Sequence, residues 1–395
     1  MKIGVDIRVL MDEYYSGVSE YAANLLRALY RQDENNNYKL FYNSWHNLDT
    51  RLSQWNNERS QVIGRHWPNK IFNYLFQKTL NYPKLDKILG GVDVFWSPHF
   101  NFTRLSSSAT GLKRIITVHD LSFLRYPEFF SLRKNLWHQA LNVKKTLQEA
   151  DKIIAISQNT KNDIMELVGI APEKIAVIYS GVNLIKREVS AEERQEFLNK
   201  HQLSGRFILY LGNIEPRKNI EGTIAAFNDL RTKDAAGRHE LSDLKLILAG
   251  ATGWKNKKIY QAYQKSPYKN SIKFLGYISE KDKDILYSSA SVFIYPSFYE
   301  GFGFPPLEAM VYGLPVVCSN TSSLPEVVGP AALMINPYQT EEIREALEMI
   351  LRDDKIRTRL INEGYQRIKL FSWEKTATQY LQVFEEVYAS QREKK

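Results

Sequence analysis

The stretch YPSFYEGFGFPPLEAMVYGLPVVCSN, residues 295–320, indicates the fold of this chain more clearly than any other. It runs from an apolar strand into a loop with glycines and then into a segment that opens with a pair of prolines. Proline is favoured in the first turn of a helix, because the N–H group that it lacks would have no partner there. The stretch therefore predicts a strand, a loop, a helix that begins near Pro305 and Pro306, and a second strand.

The same alternation of apolar strands and helices recurs along most of the chain. Further short apolar runs lie at residues 1–9, 92–96, 115–118, 153–156, 175–178, 207–212, 244–250 and 272–276. Helical patterns separate most of these runs, including those at residues 19–30, 134–150 and 160–168. Short, fully apolar strands that alternate with helices are typical of parallel sheets covered on both faces. The predicted fold class is therefore α/β, with doubly wound sheets.

The alternation is interrupted between residues 179 and 205, where the sequence becomes charged and contains no apolar strand. A length of 395 residues is compatible with two or three domains. We predict two domains, residues 1–182 and 183–372, and a helix in residues 373–395 that packs back on the first domain. Ligands of open α/β sheets bind outside the carboxyl ends of the strands. Functional residues are therefore expected in strand-to-helix loops that face a cleft between the domains.

The composition excludes several classes of protein. Apolar residues make up 44% of the chain, which is enough for large buried cores and argues against general disorder. The single cysteine excludes an intramolecular disulfide framework and fits a reducing compartment. No run approaches the roughly 18 apolar residues of a membrane-spanning helix, and the N-terminus reads as a strand and not as a signal peptide. We therefore expect a cytoplasmic protein.

The loop within residues 295–320 carries the residue types of a phosphate and sugar site. Gly301 and Gly303 allow backbone amides to approach a ligand closely, and the free N–H groups at the start of a helix favour an anion. Glu300 and Glu308 can accept hydrogen bonds from hydroxyl groups. These residues predict phosphate on the loop and helix, and sugar hydroxyls on the carboxylates. The structural alternative is that the glycines only form a turn and that Glu308 complements the helix dipole.

This pattern resembles the retaining glycosyltransferases of family 4, which have the two-domain GT-B fold. The resemblance rests first on the E-x7-E spacing, on FGFPPLEAM at residues 302–310 and on GLPVVCSNTSSLPEV at residues 313–327. Further segments similar to motifs of that family follow in order along the chain: ITVHDLSFLRYPEFF (116–130), AISQNTKNDI (155–164), YLGNIEPRKN (210–219) and FLGYIS (274–279). The resemblance implies an acceptor-side N-terminal Rossmann-like domain and a nucleotide-sugar-binding C-terminal one.

The resemblance also implies the reaction: a hexose passes from a nucleotide sugar to a hydroxyl of a glycan or lipid-diphosphate-linked acceptor in the synthesis of a surface polysaccharide. The motifs most resemble those of bacterial mannosyl- and rhamnosyltransferases, and this resemblance favours GDP-mannose as the donor. A UDP-hexose or dTDP-rhamnose donor is the alternative, and a sugar-nucleotide epimerase of the same fold is another. Enzymes of this type need no divalent metal, and the nucleotide sugar is a co-substrate and not a cofactor. The Asp-x-Asp sequence at residues 282–284 is interpreted as a solvated helix start.

The family motifs assign roles to four charged residues of this chain. Glu308 would bond the ribose of the nucleotide, and Glu300 would contact hydroxyls of the donor sugar. Arg217 and Lys218 would neutralise the diphosphate, since cations aimed at the charge that develops on a leaving group lower the barrier. Asn213 stands where many members of the family carry a further arginine. The alternative for Arg217 and Lys218 is a solvated basic turn.

His119 follows the strand at residues 115–118 and corresponds to a family histidine near the reacting centre that touches the donor sugar. Its role as donor or acceptor stays open, and the alternative is a structural histidine partnered by Asp120. The resemblance implies further binding residues that act mainly through their backbone: Gly17, Gly303, Phe304 and Leu307 toward phosphate or sugar oxygens, and Tyr277 and Ile278 toward the base. For Gly17 the alternative is an ordinary turn.

Charge suggests a possible partner surface in the first domain. The net charge of +9 is uneven, and basic residues lie among apolar and aromatic ones at Arg133, Lys134, Leu136, Trp137, Lys144 and Lys145. Such a mixture suits an anionic bilayer, so one hypothesis is peripheral docking on the inner face of the membrane. The alternative is a helix that packs its apolar side on the sheet.

Two other classes of protein fit the sequence less well. An NAD-dependent oxidoreductase needs G-x-G-x-x-G after a first strand, and residues 1–30 do not supply it. A nucleic-acid-binding protein is favoured by the net charge alone, and no nucleic-acid partner is expected.

Overall fold

The computed structural model describes residues 1–12, 16–107, 111–237 and 239–392. The chain forms two compact units, and each unit is assembled from separate parts of the sequence. The first comprises Met1–Leu121, Arg133–Gly181 and Trp373–Lys395, and the second comprises Ser122–Leu132 and Val182–Ser372.

Each unit has a parallel sheet at its centre. In the described residues the first sheet has seven strands in the order β3-β2-β1-β4-β5-β6-β7, and the second has six in the order β10-β9-β8-β11-β12-β13. The strands are β1 Lys2–Asp6, β2 Asn37–Asn43, β3 Ser60–Arg65, β4 Val94–Ser97, β5 Lys113–Val118, β6 Lys152–Ala155, β7 Ile175–Val177, β8 Phe207–Leu211, β9 Lys245–Ala249, β10 Ile272–Gly276, β11 Val292–Tyr295, β12 Val316–Ser319 and β13 Ala332–Ile335. The predicted fold class, α/β with doubly wound sheets, is confirmed.

Helices connect the strands and cover the sheets. They are α1 Gly17–Gln32, α2 Asp49–Leu52, α3 Leu85–Ile88, α4 Ser122–Arg125, α5 Leu132–Leu141, α6 Val143–Glu149, α7 Gln158–Asp163, α8 Ala191–Lys200, α9 Ile220–Ala235, α10 Lys257–Lys265, α11 Glu280–Ser289, α12 Phe304–Val311, α13 Leu324–Val328, α14 Thr340–Arg352, α15 Asp354–Ile368 and α16 Trp373–Arg392. Two segments are π-helical, Ile71–Leu80 and Ile164–Val168. Single 3-10 turns occur at Arg8–Leu10, Ser53–Trp55, Pro127–Phe129, Pro172–Lys174, Pro216–Lys218, Lys269–Ser271 and Gly329–Ala331.

The last helix, α16, belongs to the core of the first unit. It packs along α1, and the hydroxyl of Tyr380 shares hydrogen bonds of 2.6 Å with Tyr21 of α1 and with Thr117 of β5. Tyr380 is fully buried, and its ring lies 5.3 Å from that of Trp96 in β4. The C-terminal helix is therefore held by polar and aromatic contacts at the centre of the sheet.

The predicted helix at residues 134–150 is in fact two helices. Asn142 separates α5 from α6, and its φ of +48° lies in the left-handed region that ends a helix. Its side chain then caps α6 by accepting a hydrogen bond from the N–H of Lys145. Hydrophobic periodicity did not reveal the break at Asn142, because the apolar residues on either side of Asn142 keep the spacing of a single helix.

In the described residues, none of the helices is long and apolar enough to cross a membrane. Cys318, interpreted from the sequence as a small buried residue, is indeed buried in β12.

Candidate active site

A buried cluster of charged side chains in the second unit lies where two neighbouring strands end. Arg217 and Lys218 close the 3-10 turn that follows β8, and Glu300 lies in the loop that follows β11. Strands β8 and β11 are adjacent in the sheet, although 80 residues lie between them in the sequence. The sheet order thus brings together three of the residues that the sequence analysis selected.

Glu300 is held between the two cations. Lys218 Nζ donates to Oε1 of Glu300 at 2.5 Å, and Arg217 Nη1 donates to its Oε2 at 2.9 Å. Arg217 Nη2 also donates to Oε1 of Glu215 at 3.0 Å. Lys218 Nζ donates a further hydrogen bond of 2.6 Å to the hydroxyl of Tyr295. Two carboxylates and two cations therefore balance one another within this cluster.

Burial and charge together set the protonation of the cluster. Glu300 and Lys218 are each only 6% exposed. Burial alone would raise the pKa of Glu300, but the cations Arg217 and Lys218 outweigh it and lower that pKa to about 2. Burial lowers the pKa of Lys218 despite the opposing charge of Glu300. The geometry is that of an ionised pair, with Glu300 a carboxylate at neutral pH.

The loop from Glu300 to Gly303 is fixed by hydrogen bonds from the turn after β12. The hydroxyl of Ser322 accepts from the N–H of Glu300 at 2.9 Å, and the hydroxyl of Ser323 donates to the carbonyls of Glu300 and Phe302. Gly303 has a φ of +107°, and a Cβ atom there would lie 2.6 Å from Cδ2 of Leu324. Only glycine satisfies both the backbone conformation and the close approach, so this position of the motif has a steric cause.

Glu308 lies in α12, which begins directly after Gly303, as the sequence predicted. The hydroxyl of Tyr287 donates to Oε2 of Glu308 at 2.8 Å, and Lys283 Nζ lies 3.5 Å from its Oε1. The Glu308 side chain is 21% exposed, so it combines a fixed orientation with access from outside. Leu307 is fully buried, backbone included, so its contact with a ligand stays a prediction.

Other predicted residues of the second unit lie on the same edge of its sheet. Tyr277, 55% exposed, and the half-buried Ile278 follow β10. Strand β10 is three positions away from β11 in the sheet order. Phe304 is the first residue of α12, and its ring packs against that of Phe302. The carboxyl edge therefore carries the predicted base-binding residues at one end and the Glu300 cluster further along.

His119 lies at the end of β5 in the first unit. Its Nε2 is 2.8 Å from the carbonyl oxygen of Pro98, and the ring of Tyr21 meets it edge-on at 4.8 Å. A carbonyl oxygen can only accept, so the proton is assigned to Nε2 and Nδ1 is left as an acceptor. Burial lowers the pKa of His119, which favours the neutral ring. The hydrogen bond thus assigns the tautomer of His119, whereas its contact with a donor sugar stays a prediction.

Gly17 is the first residue of α1 and not part of the preceding loop. Its φ is not positive, and a Cβ atom there would meet nothing within 4 Å. Unlike Gly303, this position carries no steric requirement for glycine.

The basic residues proposed for membrane docking lie on α5 and α6. Arg133, Lys134, Lys144 and Lys145 are exposed. Leu136 is 64% exposed, and Leu141 is the buried residue of α5. Most apolar side chains of α5 therefore do not pack into the core of the sheet, unlike those of α1.

The sequence analysis missed several residues that shape the charged cluster. Glu215 is almost fully buried and binds Arg217, and Tyr295 accepts the hydrogen bond from Lys218. Both stand within segments already singled out, at residues 210–219 and 295–320. The position of Glu215, two residues before the basic pair, was a signal for the first, whereas the hydroxyl of a strand tyrosine carries no signal in the sequence.

An aromatic segment also supports the loop next to Glu300. Residues Ser122–Leu132 pack with the second unit, where Phe129 stacks on Phe298 at 5.7 Å and Tyr126 lies 5.7 Å from Tyr299. Trp254 Nε1 donates to the carbonyl of Phe129 at 2.6 Å. The carbonyl of Tyr299 accepts a hydrogen bond from Arg217 Nη1 at 2.5 Å. The aromatic segment therefore packs against a residue that orients Arg217 in the charged cluster.

The described residues contain no group of three or more His, Cys, Asp or Glu side chains that could hold a metal ion. Asp282 and Asp284 lie in the first turns of α11, and Ser279 caps this helix by accepting from the N–H of Asp282. The Asp-x-Asp sequence is thus part of a helix start, as interpreted, but Asp284 is not simply solvated, because it pairs with Arg187 at 3.1 Å.

Comparison with known proteins covers both units. Residues 15–186 match the family described as Glycosyltransferase Family 4, and residues 191–367 match the family described as Glycosyl transferases group 1. The O-antigen chain mannosyltransferase B of Escherichia coli is 34% identical over 291 residues, which cover 73% of this chain and 72% of that protein. The serotype-specific mannosyltransferase WbdA of Escherichia coli is 32% identical over 71% of this chain, but this chain spans only 35% of WbdA.

The fold has a close counterpart among solved structures. Sucrose-phosphate synthase from Thermosynechococcus elongatus aligns with a TM-score of 0.74 at 20% identity, over 98% of this chain and 99% of that one. At this identity the likeness concerns the fold alone. Together with the sequence relatives, it establishes that the chain belongs to the family 4 glycosyltransferases and has the GT-B fold.

Proposed function

We propose that this protein transfers mannose from GDP-mannose to a hydroxyl of a glycan or lipid-linked acceptor, with retention of the anomeric configuration, in the synthesis of a surface polysaccharide. The observation that carries the proposal is the buried cluster in which Glu300 is held between Arg217 and Lys218. Support for mannose comes from the relative named O-antigen chain mannosyltransferase B.

The cluster suits a donor that joins a diphosphate to a sugar. An ammonium group has three N–H donors, and Lys218 uses two of them on Glu300 and Tyr295. The third N–H has no hydrogen-bond partner among the described residues, so Lys218 can donate it to a phosphate oxygen. The carboxylate of Glu300, which has lone pairs left after these contacts, would accept from hydroxyls of the sugar.

The remaining residues of the second unit would hold the nucleotide. Glu308, oriented by Tyr287, would accept a hydrogen bond from a ribose hydroxyl. Tyr277 and Ile278 would frame the base. The backbone amides of Gly303, Phe304 and Leu307 at the start of α12, where the helix dipole favours negative charge, would meet sugar or phosphate oxygens. In the first unit, the backbone of Gly17 would meet phosphate.

In the reaction that we propose, the acceptor oxygen bonds to the anomeric carbon while the bond from that carbon to the diphosphate oxygen breaks. The acceptor proton passes to the departing phosphate oxygen, and Arg217 and Lys218 stabilise the negative charge on the diphosphate. His119, neutral and with Nδ1 as an acceptor, would accept a hydrogen bond from a hydroxyl of a sugar substrate. No divalent metal takes part in these steps.

The first experiment identifies the donor. The chain is heated with GDP-mannose, a UDP-hexose or dTDP-rhamnose, since a ligand present at 100 times its dissociation constant adds about 2.7 kcal/mol to stability. We expect GDP-mannose to give the largest shift in melting temperature. A larger shift with another nucleotide sugar would replace mannose in the proposal without affecting the transferase activity.

The second experiment tests the reaction and its stereochemistry. The chain is incubated with labelled GDP-mannose and a lipid-linked acceptor fraction, and the anomeric configuration of the product is read by nuclear magnetic resonance. We expect an axial product from the axial donor. An equatorial product would contradict retention, and epimerised nucleotide sugar or free nucleotide formed without any acceptor would favour an epimerase.

A further inference from the structure

A cavity in the first unit lies apart from every residue assigned above to the donor. It has a volume of about 240 Å³ and runs along the face of the sheet between Ser97 at the carboxyl end of β4 and Arg114 near the amino end of β5. The segment from Asn101 to Leu105 lines one side, and α6 lines the other. A second, wider opening of about 610 Å³ shares Arg104, Arg114 and Lys145 with it.

Cations predominate around this cavity, which we call the basic cavity. Among the residues that the structure describes, its charged lining consists of five cations and two carboxylates: Lys78, Lys84, Arg104, Arg114, Lys145, Glu149 and Asp151. The cations come from separate parts of the chain, so a ligand among them would be approached from several directions. Burial and the neighbouring charges of Arg104 and Arg114 lower the pKa of Lys84, as expected where like charges are crowded together.

Within the described residues, three cations of the basic cavity form no ion pair with a carboxylate: Lys78, Lys84 and Arg104. Asp151 is engaged by Lys113 at 3.3 Å, and Glu149 is shared between Arg114 at 3.1 Å and Lys145 at 3.8 Å. Lys84 Nζ donates to the neutral side chain of Asn81 at 2.9 Å.

Hydrogen bonds orient the side chains of Arg104 and Arg114 but do not use all of their N–H donors. Arg104 Nε donates to the carbonyl of Gln77 at 2.7 Å, and Arg114 Nη2 donates to that of Ser106 at 2.7 Å. The Nε atom of Arg114 is buried and has no hydrogen-bond partner in the described residues. A buried donor without a partner costs free energy, which an anionic acceptor in the cavity would recover.

We propose that the basic cavity is a binding site for a phosphate group. A tetrahedral, doubly charged oxyanion can accept hydrogen bonds from Lys84, Arg104, Arg114 and Lys145 at once, whereas a carboxylate offers two oxygens in one plane. The group can belong to a soluble phosphate ester or to the headgroup of a lipid, because both present the same oxygens to the cavity.

The test uses inorganic pyrophosphate and the full-length protein, with hydrogen–deuterium exchange as the readout. We expect pyrophosphate to slow exchange in peptides that cover residues 101–107 and 140–150. The double variant Lys84→Gln/Lys145→Gln removes two cations whose side chains reach solvent, so it should fold and should bind at this site about tenfold more weakly. The matched control is Lys144→Gln, which removes an equal charge from the neighbouring position of α6, outside the cavity lining.

The Lys218→Ala variant separates this site from the donor site. In this variant, pyrophosphate should no longer slow hydrogen exchange in peptides near Glu300. It should still slow exchange in the peptides that cover residues 101–107 and 140–150. The measurement needs no sugar donor, so its outcome does not depend on the proposed transfer reaction. Absence of protection in the wild type, or equal protection in the double variant and in Lys144→Gln, would overturn the proposal.

A second arm distinguishes the two sources of phosphate. The variants are sedimented with phosphatidylcholine vesicles that contain or lack 20% phosphatidic acid. A loss of vesicle binding in Lys84→Gln/Lys145→Gln, but not in Lys144→Gln, identifies a lipid headgroup as a ligand. Loss of pyrophosphate binding alone identifies a soluble phosphate. Both results support the site, and retention of both kinds of binding in the double variant rejects it.

Discussion

The two sites hold their cations in opposite ways. In the second unit, the side chains of Lys218 and Arg217 are 8% and 15% exposed, and Glu300 and Glu215 balance their charges. In the basic cavity of the first unit, the Lys145 side chain is 60% exposed, and Lys84 and Arg104 have no carboxylate partner among the described residues. One cluster is buried and neutral in sum, and the other is open and positive.

This difference suggests different tasks. Buried charges that are already paired cost no reorganisation when charge develops beside them, which is what a transferase needs at its leaving group. Charges that are partly solvated and unpaired instead attract an anion from solution. Four predictions test the comparison, from the largest expected effect to the smallest.

The largest effect is expected from Lys218→Ala. The change leaves Glu300 buried with one cation in place of two, and it removes a donor to the diphosphate. We expect transfer to fall by about 10²–10³-fold and the free energy of unfolding to fall by about 3 kcal/mol. Enzyme assays and urea unfolding measure the two effects, with Lys257→Ala, an exposed lysine of α10, as the control. Turnover near that of the wild type would remove Lys218 from the proposed mechanism.

Acid should weaken the buried cluster specifically. The folded pKa of Glu300 is about 2, below its ordinary value of 4.5. A depressed carboxyl pKa contributes stability that is complete above pH 4.5 and is lost as the pH falls toward 2, up to about 3 kcal/mol. Unfolding at several pH values in this window should show a steeper loss for the wild type than for Glu300→Gln. Glu341→Gln, whose carboxylate is 72% exposed, should leave the slope unchanged; equal slopes in wild type and Glu300→Gln would contradict the pairing.

The exposure of Glu308 lies between that of the buried cluster and that of the basic cavity. Its side chain is oriented by Tyr287 and is 21% exposed. Glu308→Gln keeps the shape of the side chain and loses its charge, so we expect nucleotide binding to weaken about tenfold, or 1.4 kcal/mol. Calorimetry with GDP measures the change. A nucleotide that lacks the ribose hydroxyls should bind the wild type and Glu308→Gln with nearly equal affinity. If the substitution weakened the binding of that nucleotide as much as it weakens GDP binding, a contact between Glu308 and the ribose would be contradicted.

The smallest effect concerns salt. Exposed charges are screened by salt more strongly than buried ones. Between 50 and 200 mM sodium chloride, we expect pyrophosphate binding at the basic cavity to weaken several-fold, and binding near Glu300 to weaken less. Hydrogen exchange separates the two sites by their peptides. A stronger salt dependence near Glu300 would reverse the comparison.

Much of the fold could be predicted from the sequence. The strands with wholly apolar centres, such as β8 and β12, were located within one or two residues. Strands β2, β3 and β13 were missed. Polar residues occur within the first two, as Lys39 does in β2, and β13 has only four residues. Burial of such strands depends on their neighbours in the sheet, which periodicity along the chain does not contain.

The candidate site was predictable only in part. The motif at residues 295–320 indicated Glu300, Gly303 and Glu308 together, because a loop between a strand and a helix needs particular residues at particular positions. The support that the aromatic segment Ser122–Leu132 gives to Tyr299 was not predictable, since Tyr126 and Phe129 carry no sign of which sheet they will pack against.

By itself, the sequence determined the family, the alternation of strands and helices, and the identity of the charged residues. The tertiary structure decided which charges meet. Glu300 reaches Arg217 and Lys218 because β8 and β11 are neighbours in the sheet, and the cations of the basic cavity converge from segments far apart in the chain. The physical reason is that local sequence sets backbone conformation within a few residues, whereas the pairing of distant charges follows from the order in which strands join a sheet.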